Sequence, residues 1–384
     1  MPNHPPVTSL MARAEAAHRV AIADAYHQAF GFTQHQSKLY LDQVGIENFR
    51  ILTVDDRLAA VMAAIGTAHW LGGKPVRAIN IAHVAINPEW RGAGLAGQFL
   101  EAVCSEAAAN GIGIATLFAS TRPVYRRSGF SLAGVEMIYE AETSAFPRAR
   151  DAGFVRLQGD DLIMAIAPLY RQRCIDDAGL LQRSSAHWSS LLAGEPVVFV
   201  STVDDAPGYL VLDTTDTECL MVRDWVALNG KAATHLLSLL GTFASVYPRV
   251  RWHGSPQDAL VFAMPDKGWR LLHQEEWLAR VLDPVRALQE RGYPADAALG
   301  IDLVSADGDV RLALDVRDGQ GSCGQRRDDL PTIRMALADF GTLLTGHRSA
   351  RFLARAGILT GDAAAIRLCE TLFAGPAPWV GEHF

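Results

Sequence analysis

The sequence predicts an α/β protein, with mixed central sheets flanked by helices, divided into two or three domains. Three observations carry this. The chain has 384 residues, more than a single core usually encloses, since domains hold roughly 100–200 residues. Strand-like and helix-like patterns alternate along it. The tetrapeptide TVDD occurs at 53–56 and again at 202–205, and the order of elements around the first copy returns around the second, as an internal duplication would leave it.

The elements follow in order. EAAHRVAIADAYHQAF (15–30) sets Val20, Ala23, Tyr26 and Phe30 at three- and four-residue steps, the stripe of a helix. SKLYLDQV reads as a second, short helix. FRILTV (49–54) and LAAVMAAI (58–65) flank a DDR turn and read as a hairpin. VRAINIAHVAI (76–86) is a third strand, stopped at Asn87-Pro88 because proline has no N–H to give a ladder. Beyond it Leu95, Phe99 and Val103 share a helix face, and Asn110-Gly111 suits a left-handed cap. IATLFAS (114–120) is a strand, PVYRRSG a short helix and FSLAGVEMIYE (130–140) a strand. The first domain, 1–149, therefore reads α-α-β-β-β-α-β-α-β.

Residues 150–275 repeat that order. Two helices near 160–174 and 183–192 lead into the strands VVFVST, GYLVLD and CLMVRDWVAL, the helix AATHLLSLLGTFASV (232–246) and the strand RVRWHG. A third unit, 276–384, begins with a strand in EEWLARV and a helix capped by Gly292. IDLVSA and RLALDVRD then form a hairpin around Asp307-Gly308.

Composition excludes several classes. The net charge is −7 and the pI near 5.9, with no block of lysine and arginine. Nucleic acid and anionic membrane are poor partners for such a surface, while a cationic substrate is allowed. The five cysteines (104, 174, 219, 323 and 369) form no CxxC pair, so neither a disulfide framework nor a zinc site is expected, and no metal is. The N-terminus lacks the apolar core of a signal peptide, and no stretch approaches the ~20 apolar residues that cross a bilayer. A cytoplasmic protein is the expectation.

Other motifs fail on context. Gly319, Gly321 and Gly324 spell GxGxxG, with Asp339 about where a dinucleotide fold places its acid. QRRDDLP follows instead of an apolar helix face, so a solvated turn is expected. P-loop and GxSxG patterns are absent. His83 and His187 lack partners at metal spacing and read as packing or surface residues. Trp70, Trp90 and Phe32 either wall a pocket or pack the core.

The stretch PEWRGAGLAG (88–97) lies where a strand gives way to a helix. The first turn of a helix leaves unpaired N–H groups and a partial positive charge, a ready site for phosphate. Gly92 and Gly94 remove side chains from the approach and Arg91 adds charge. A tight turn without a ligand is the other reading of the same residues.

VAINPEWRGAGLAG, with the elements around it, resembles motif A of the GNAT acyltransferases, which bind acetyl-coenzyme A. TLFASTRPVYRRSGF (116–130), WLARVLDPVRAL, RFLARAGIL and the closing PWVGEHF resemble the enhanced intracellular survival (Eis) family. That resemblance implies tandem GNAT folds followed by an α+β domain like sterol carrier protein. The second GNAT-like unit would lack a cofactor loop, because Leu228-Asn229-Gly230-Lys231 stands in the place of RGAG.

The resemblance also implies roles. Val84, Ala85 and Ile86 line the pantetheine arm of acetyl-CoA. Arg91, Gly92, Ala93, Gly94, Leu95, Ala96 and Gly97 wrap the diphosphate, and Ser120 and Thr121 touch the cofactor again. Tyr125 protonates the departing thiolate; on its own residues alone it reads first as an amphipathic core tyrosine. The α-carboxylate of Phe384 enters the active site as a base, where a bare terminus would simply fray. Several members of that family carry an acidic residue just before the terminal phenylalanine. This chain has His383 there and Glu382 one further back, a departure that bears on polycationic aminoglycosides. The implied assembly is a homo-oligomer, a hexamer.

The chemistry has three requirements. An ammonium of pKa about 10 must lose its proton before it can attack. The tetrahedral oxyanion needs donors. The thiolate, pKa near 8.5, leaves more easily beside an acid, and a tyrosine of pKa around 10 can serve. An α-carboxyl of pKa roughly 3.5 is a weak base unless burial raises it. The function expected is N-acetyl transfer to a primary amine of a small polyamine, an aminoglycoside or a lysine side chain. The alternative is a non-catalytic protein that binds acetyl-CoA or a lipid.

Overall fold

A computed structural model of the chain describes residues 9–147, 153–159, 161–264 and 268–384. The expected boundary at 149/150 lies outside these residues. The first half runs β1 (Ser9–Arg13), α1 (Arg19–Phe30), α2 (Gln34–Val44), β2 (Phe49–Val54), β3 (Arg57–Leu71) and β4 (Lys74–Ile86). It continues with α3 (Leu95–Ala109), β5 (Ile114–Phe118), α4 (Arg122–Arg127) and β6 (Ser131–Glu142). The second half runs β7 (Phe154–Leu157), α5 (Leu162–Asp176), α6 (Ser185–Leu191), β8 (Val197–Ser201), β9 (Gly208–Asp213) and β10 (Cys219–Ala227). Then come α7 (Gly230–Gly241), β11 (Arg249–His253), α8 (Ala259–Ala263) and β12 (Trp269–Val281).

The remainder begins with α9 (Pro284–Glu290), β13 (Ala297–Val304), β14 (Val310–Arg317), β15 (Gln320–Gln325) and β16 (Thr332–Ala336). It ends with α10 (Phe340–Leu344), α11 (Ala350–Arg355), β17 (Leu359–Gly361), α12 (Ala363–Leu372) and β18 (Trp379–Val380).

Two sheets organise the chain. The larger has the order β1-β2-β3-β4-β5-β12-β6-β11-β10-β9-β8-β7, with β18 alongside β6. The smaller has the order β15-β14-β13-β16-β17. The larger sheet contains a reciprocal exchange. β6 leaves the first half to pair antiparallel with β11 of the second, and β12 leaves the second to pair antiparallel with β5 of the first. β6 and β12 also pair with each other along most of their lengths. The boundary expected at 275/276 therefore falls inside β12, a strand of the shared sheet. Its buried Trp277 and Leu278 alternate between the two faces of that sheet.

Several expectations are corrected. β1 was not anticipated; it is a short edge strand that pairs only with β2. The expected α1 stripe is rotated: Val20 is 72% exposed, and Ile22, Ala23, Ala25 and Tyr26 face the core. Of the GxGxxG glycines only Gly319 (φ +68°) lies in a turn, the one that joins β14 to β15. Gly321 and Gly324 lie in the edge strand β15, paired with β14. Gly292 is not a helix cap, since α9 ends at Glu290 with Arg291 at the cap position. Gly292 instead meets the β3–β4 turn, where its N–H donates to the Leu71 carbonyl (3.0 Å). A Cβ on Gly292 would stand 1.9 Å from the Gly72 carbonyl oxygen, so any side chain there would push the two segments apart.

Candidate active site

The site starts where two parallel strands separate. β4 and β5 pair over Ala78–Ile114, Ile79–Ala115 and Asn80–Thr116 and no further. Buried polar groups pin the fork. The Thr116 hydroxyl donates to Asn80 Oδ1 (2.6 Å), and the His69 ring bridges Thr116 Oγ1 (3.1 Å), Asn80 Oδ1 (3.2 Å) and the Gly179 carbonyl (2.7 Å). Beyond the fork, the β5-facing edge of β4 has no strand partner.

The other edge of β4 is bulged. Ala82 lies opposite Ala63 and Ala85 opposite Val61, so one extra residue is taken up between them. His83 absorbs it with φ +48°. The bulge divides the strand between two cavities. Val84 and Ile86 face one, while Ala82 and His83 face the other.

The first cavity, about 700 Å³, runs along the start of α3. Val84, Ile86, Arg91, Gly92, Gly94, Leu95, Ala96, Gly97 and Thr121 all line it. Gly92 (φ +84°) and Gly94 (φ +78°) take left-handed conformations that only glycine adopts without strain, and the space beside each is open. Gly94 is the N-cap of α3 and supplies no side-chain bond, which leaves the N–H groups of the first turn free for an anion. Arg91 is exposed, its Nε donating to the Ile86 carbonyl (3.1 Å).

Three expected cofactor residues are placed otherwise. Ala85 turns its side chain into the core beneath α1, so only its backbone is available. Ala93 and Ser120 are exposed and do not line the cavity. Tyr125 is 8% exposed and packs in the core with Leu95, Phe99 and Phe130. Its neighbours Thr121 and Val124 make the cavity wall. Burial pushes the Tyr125 phenol above its ordinary range, opposed by a hydrogen bond from Ser120.

The second cavity, about 430 Å³, joins three parts of the chain. Tyr40 and Val44 come from α2, Leu181 and His187 from the second half, and Glu382, His383 and Phe384 from the last segment. That segment is anchored at each step. β18 pairs with β6 through Trp379 and Val380. Glu382 pairs with Arg183, which also holds Asp224 (2.5 Å) and lies over the rings of Tyr170 and Trp188. His383 stacks on Phe118 and bonds Glu136 (3.2 Å), and the Phe384 ring meets His69 and Phe118.

Charge follows these contacts. Burial pushes the Glu136 carboxyl up, but hydrogen bonds from His253 and His383 outweigh it and hold the group at about 2. The same bond raises His383. Burial lowers both His83 and His187. Ligand-type atoms of Glu136, Glu275 and His383 lie within 4.8 Å of one another. The His383–Glu136 hydrogen bond joins two of the three, and Glu275 adds a negative charge beside His383.

Sequence reasoning passed over His83 and His187, which both line this cavity. His83 carried a signal, because it directly precedes the residues assigned to pantetheine. His187 carried none, because its cavity is built from distant segments.

The domains match known families. Residues 12–133 and 179–281 each match an acetyltransferase (GNAT) domain, and 284–381 match a sterol carrier protein domain. The chain is 25% identical over 350 residues to an uncharacterized N-acetyltransferase of Streptomyces griseus, spanning 82% of this chain and 83% of that one. It is 25% identical over 327 residues to the N-acetyltransferase Eis of Mycobacterium tuberculosis, spanning 78% of each. A GCN5-related N-acetyltransferase structure from Anabaena variabilis superposes with TM-score 0.90 at 25% identity, covering 98% of this chain and 100% of that one. Eis1 from Mycobacterium abscessus shares the fold, with TM-score 0.77 at 18% identity over 98% and 100% of the two chains.

Fold, fork and open helix end thus define an acetyltransferase of the GNAT class, a class that uses acetyl-CoA. Within it the arrangement is Eis-like, two GNAT domains followed by a sterol carrier protein domain. Among the described residues no helix is long and apolar enough to cross a membrane.

Proposed function

We propose that the protein transfers acetyl from acetyl-CoA to a primary amine of a small polyamine, an aminoglycoside or a lysine side chain, by direct attack. The diphosphate lies on the first turn of α3 beside Arg91, and the pantetheine runs along Val84 and Ile86. The amine enters the second cavity. Tyr125 is the general acid toward the thiolate, its proton reaching the sulfur from beneath the wall of Thr121 and Val124. The α-carboxylate of Phe384 is the base group that holds the ammonium and draws off its proton.

The observation that carries this reading is the adjacency of Val84 and His83. One residue faces the cofactor cavity and the next faces the cavity that Phe384 lines. The amine cavity also has the right sign. Glu382 and the terminal carboxylate line it against one raised histidine, His383, and burial disfavours the charged forms of His83 and His187. A cation is favoured there. In this reading the units are 1–149, 150 to about 281, and the remainder, in a cytoplasmic homo-oligomer such as the family's hexamer.

Release of free CoA thiol in the presence of a panel of amines tests the activity. A protein that only holds acetyl-CoA or a lipid releases none. A glycine added after Phe384 tests the base, because it displaces the carboxylate by about 3.5 Å. A misplacement of 1 Å can cost about 10²-fold, so turnover should nearly vanish while acetyl-CoA affinity persists. Full turnover in the extended protein would remove Phe384 from the mechanism.

A further inference from the structure

His83 is the one residue of the amine cavity held in a strained backbone conformation. At φ +48° it occupies a region that residues with a side chain rarely adopt, and such strain persists only where the surroundings enforce it. Here a bulge and an aromatic cage enforce it. The imidazole packs against Phe30 and Phe32 (ring centroids 5.4 Å from each) and against Tyr40 (4.5 Å). Its Nδ1 lies 2.9 Å from the Tyr40 hydroxyl. Among the described residues no hydrogen bond occupies Nε2, and the residue lines the cavity that Phe384 also lines. The residue after it, Val84, faces the cofactor.

We propose that His83 Nε2 takes the proton from the acceptor's ammonium while the Phe384 carboxylate orients that ammonium. This rests on the acetyl-transfer reading above and moves its base from the Phe384 carboxylate to His83, leaving the carboxylate to hold the ammonium. Chemistry favours the division of labour. An ordinary imidazole, pKa about 6.5, binds a proton roughly a thousandfold more tightly than an α-carboxylate of pKa about 3.5, a margin that burial and the charge of His383 narrow at His83. A general base works best with a pKa near the working pH. Tyr40 is the positioning residue. With Nδ1–H donating to the Tyr40 oxygen, the lone pair stands on Nε2.

The step balances. Nε2 takes one proton from the ammonium, and the freed nitrogen pair forms the N–C bond to the thioester carbonyl. The C–S bond breaks with its electron pair on sulfur, which takes the Tyr125 proton. The second proton leaves nitrogen as the amide forms and, through solvent, replaces the one Tyr125 gave. His83 releases its proton to solvent.

The groups facing His83 fix the sign of the pH dependence. Tyr26 and Tyr40 come from α1 and α2, His187 from the second half, and His383, Glu382 and the terminal carboxylate from the last segment. Burial lowers His83 first, and the charge of His383 lowers it further. The imidazole is then unprotonated, and competent as a base, from a pH below its ordinary 6.5 upward.

Two variants suit φ +48°: His83→Asn, a residue that tolerates the left-handed region, and His83→Gly, which removes the strain. The parent should show an acid limb in kcat/KM below about pH 6.5. Both variants should lose that limb and fall about 100-fold or more at neutral pH. The deficit should shrink as pH approaches the amine's own pKa, about 10. Added imidazole should restore part of the rate to His83→Gly, and acetyl-CoA affinity by calorimetry should stay within about twofold of the parent in both. A rate within about threefold of the parent at neutral pH, or an acid limb that survives in His83→Asn, overturns the assignment. The glycine extension separates the two readings. An inactive extension with active His83 variants returns the base role to the carboxylate. A silent extension with crippled His83 variants removes the carboxylate and leaves His83.

Discussion

α3 and α7 occupy equivalent places in the two halves, each following a strand that parts from a parallel neighbour. β4 leaves β5 after Asn80, and β10 leaves β11 after Val222. Both strands are bulged near the fork. What differs is whether the donors beyond the fork remain free. α3 begins at Gly94 with no side-chain cap. α7 begins behind Asn229, whose Oδ1 accepts from the Ala232 N–H (2.9 Å), while Lys231 pairs with Asp205. The cleft beside β10 is also occupied. The Arg173 guanidinium donates to the Trp225 carbonyl and lies over the rings of Trp225 and Trp379. One half keeps a scaffold's unsatisfied groups for a ligand; the other satisfies them internally and turns its polar residues to holding the last segment through Arg183. A cofactor site is thus a matter of which hydrogen bonds a fold leaves unmade.

The comparison breaks most readily at Tyr125. The fourth residue of α4 is Tyr125, and that of α8 is Phe262, 93% exposed. Tyr125→Phe gives the first half the ring of the second and removes only a hydroxyl. General acid catalysis contributes about 10²–10⁴-fold, so steady-state kcat should fall within that range while packing survives. A kcat within about threefold of the parent, with chemistry limiting, would assign the proton to another donor.

The next effect concerns binding. Gly94→Asp places a carboxylate where a diphosphate would lie, and acetyl-CoA affinity should weaken at least about tenfold, or about 1.4 kcal/mol. Calorimetry on the parent should show one acetyl-CoA per chain. Two sites, or undiminished binding by the aspartate variant, would end the contrast between α3 and α7.

The smallest effect sharpens it. Asn229→Ala removes a cap and should cost about 1 kcal/mol of stability in urea unfolding. Acetyl-CoA affinity should not change, because the first turn of α7 is already capped by its own Asn229 side chain. A change in affinity of more than twofold would mean that the second half contributes to the site.

The glycine loop was legible because its signal is local: two glycines, an arginine and a strand-to-helix junction within ten residues. The acceptor cavity was not, because Tyr40, His83, His187 and Phe384 meet only after the chain has folded. His83 was hidden by its own strand. VRAINIAHVAI reads as continuous apolar pattern, and nothing in it announces the bulge that redirects one residue. Trp277 was readable as a strand residue, yet no local pattern states that its strand inserts between β5 and β6. Pairing partners in a sheet are set by the whole chain, whereas helix caps and glycine loops are set within a few positions.

The exchange of β6 and β12 also sets a timetable for synthesis. β5 ends at Phe118 and its neighbour β12 begins at Trp269. At about 5–20 residues per second, a ribosome leaves that edge open for roughly ten to thirty seconds. An unpaired apolar strand edge is a template for the wrong partner, including the same edge on another nascent chain. The first half must therefore wait for the strand that closes it. The exchange makes a strand of the second half the closing step in the folding of the first.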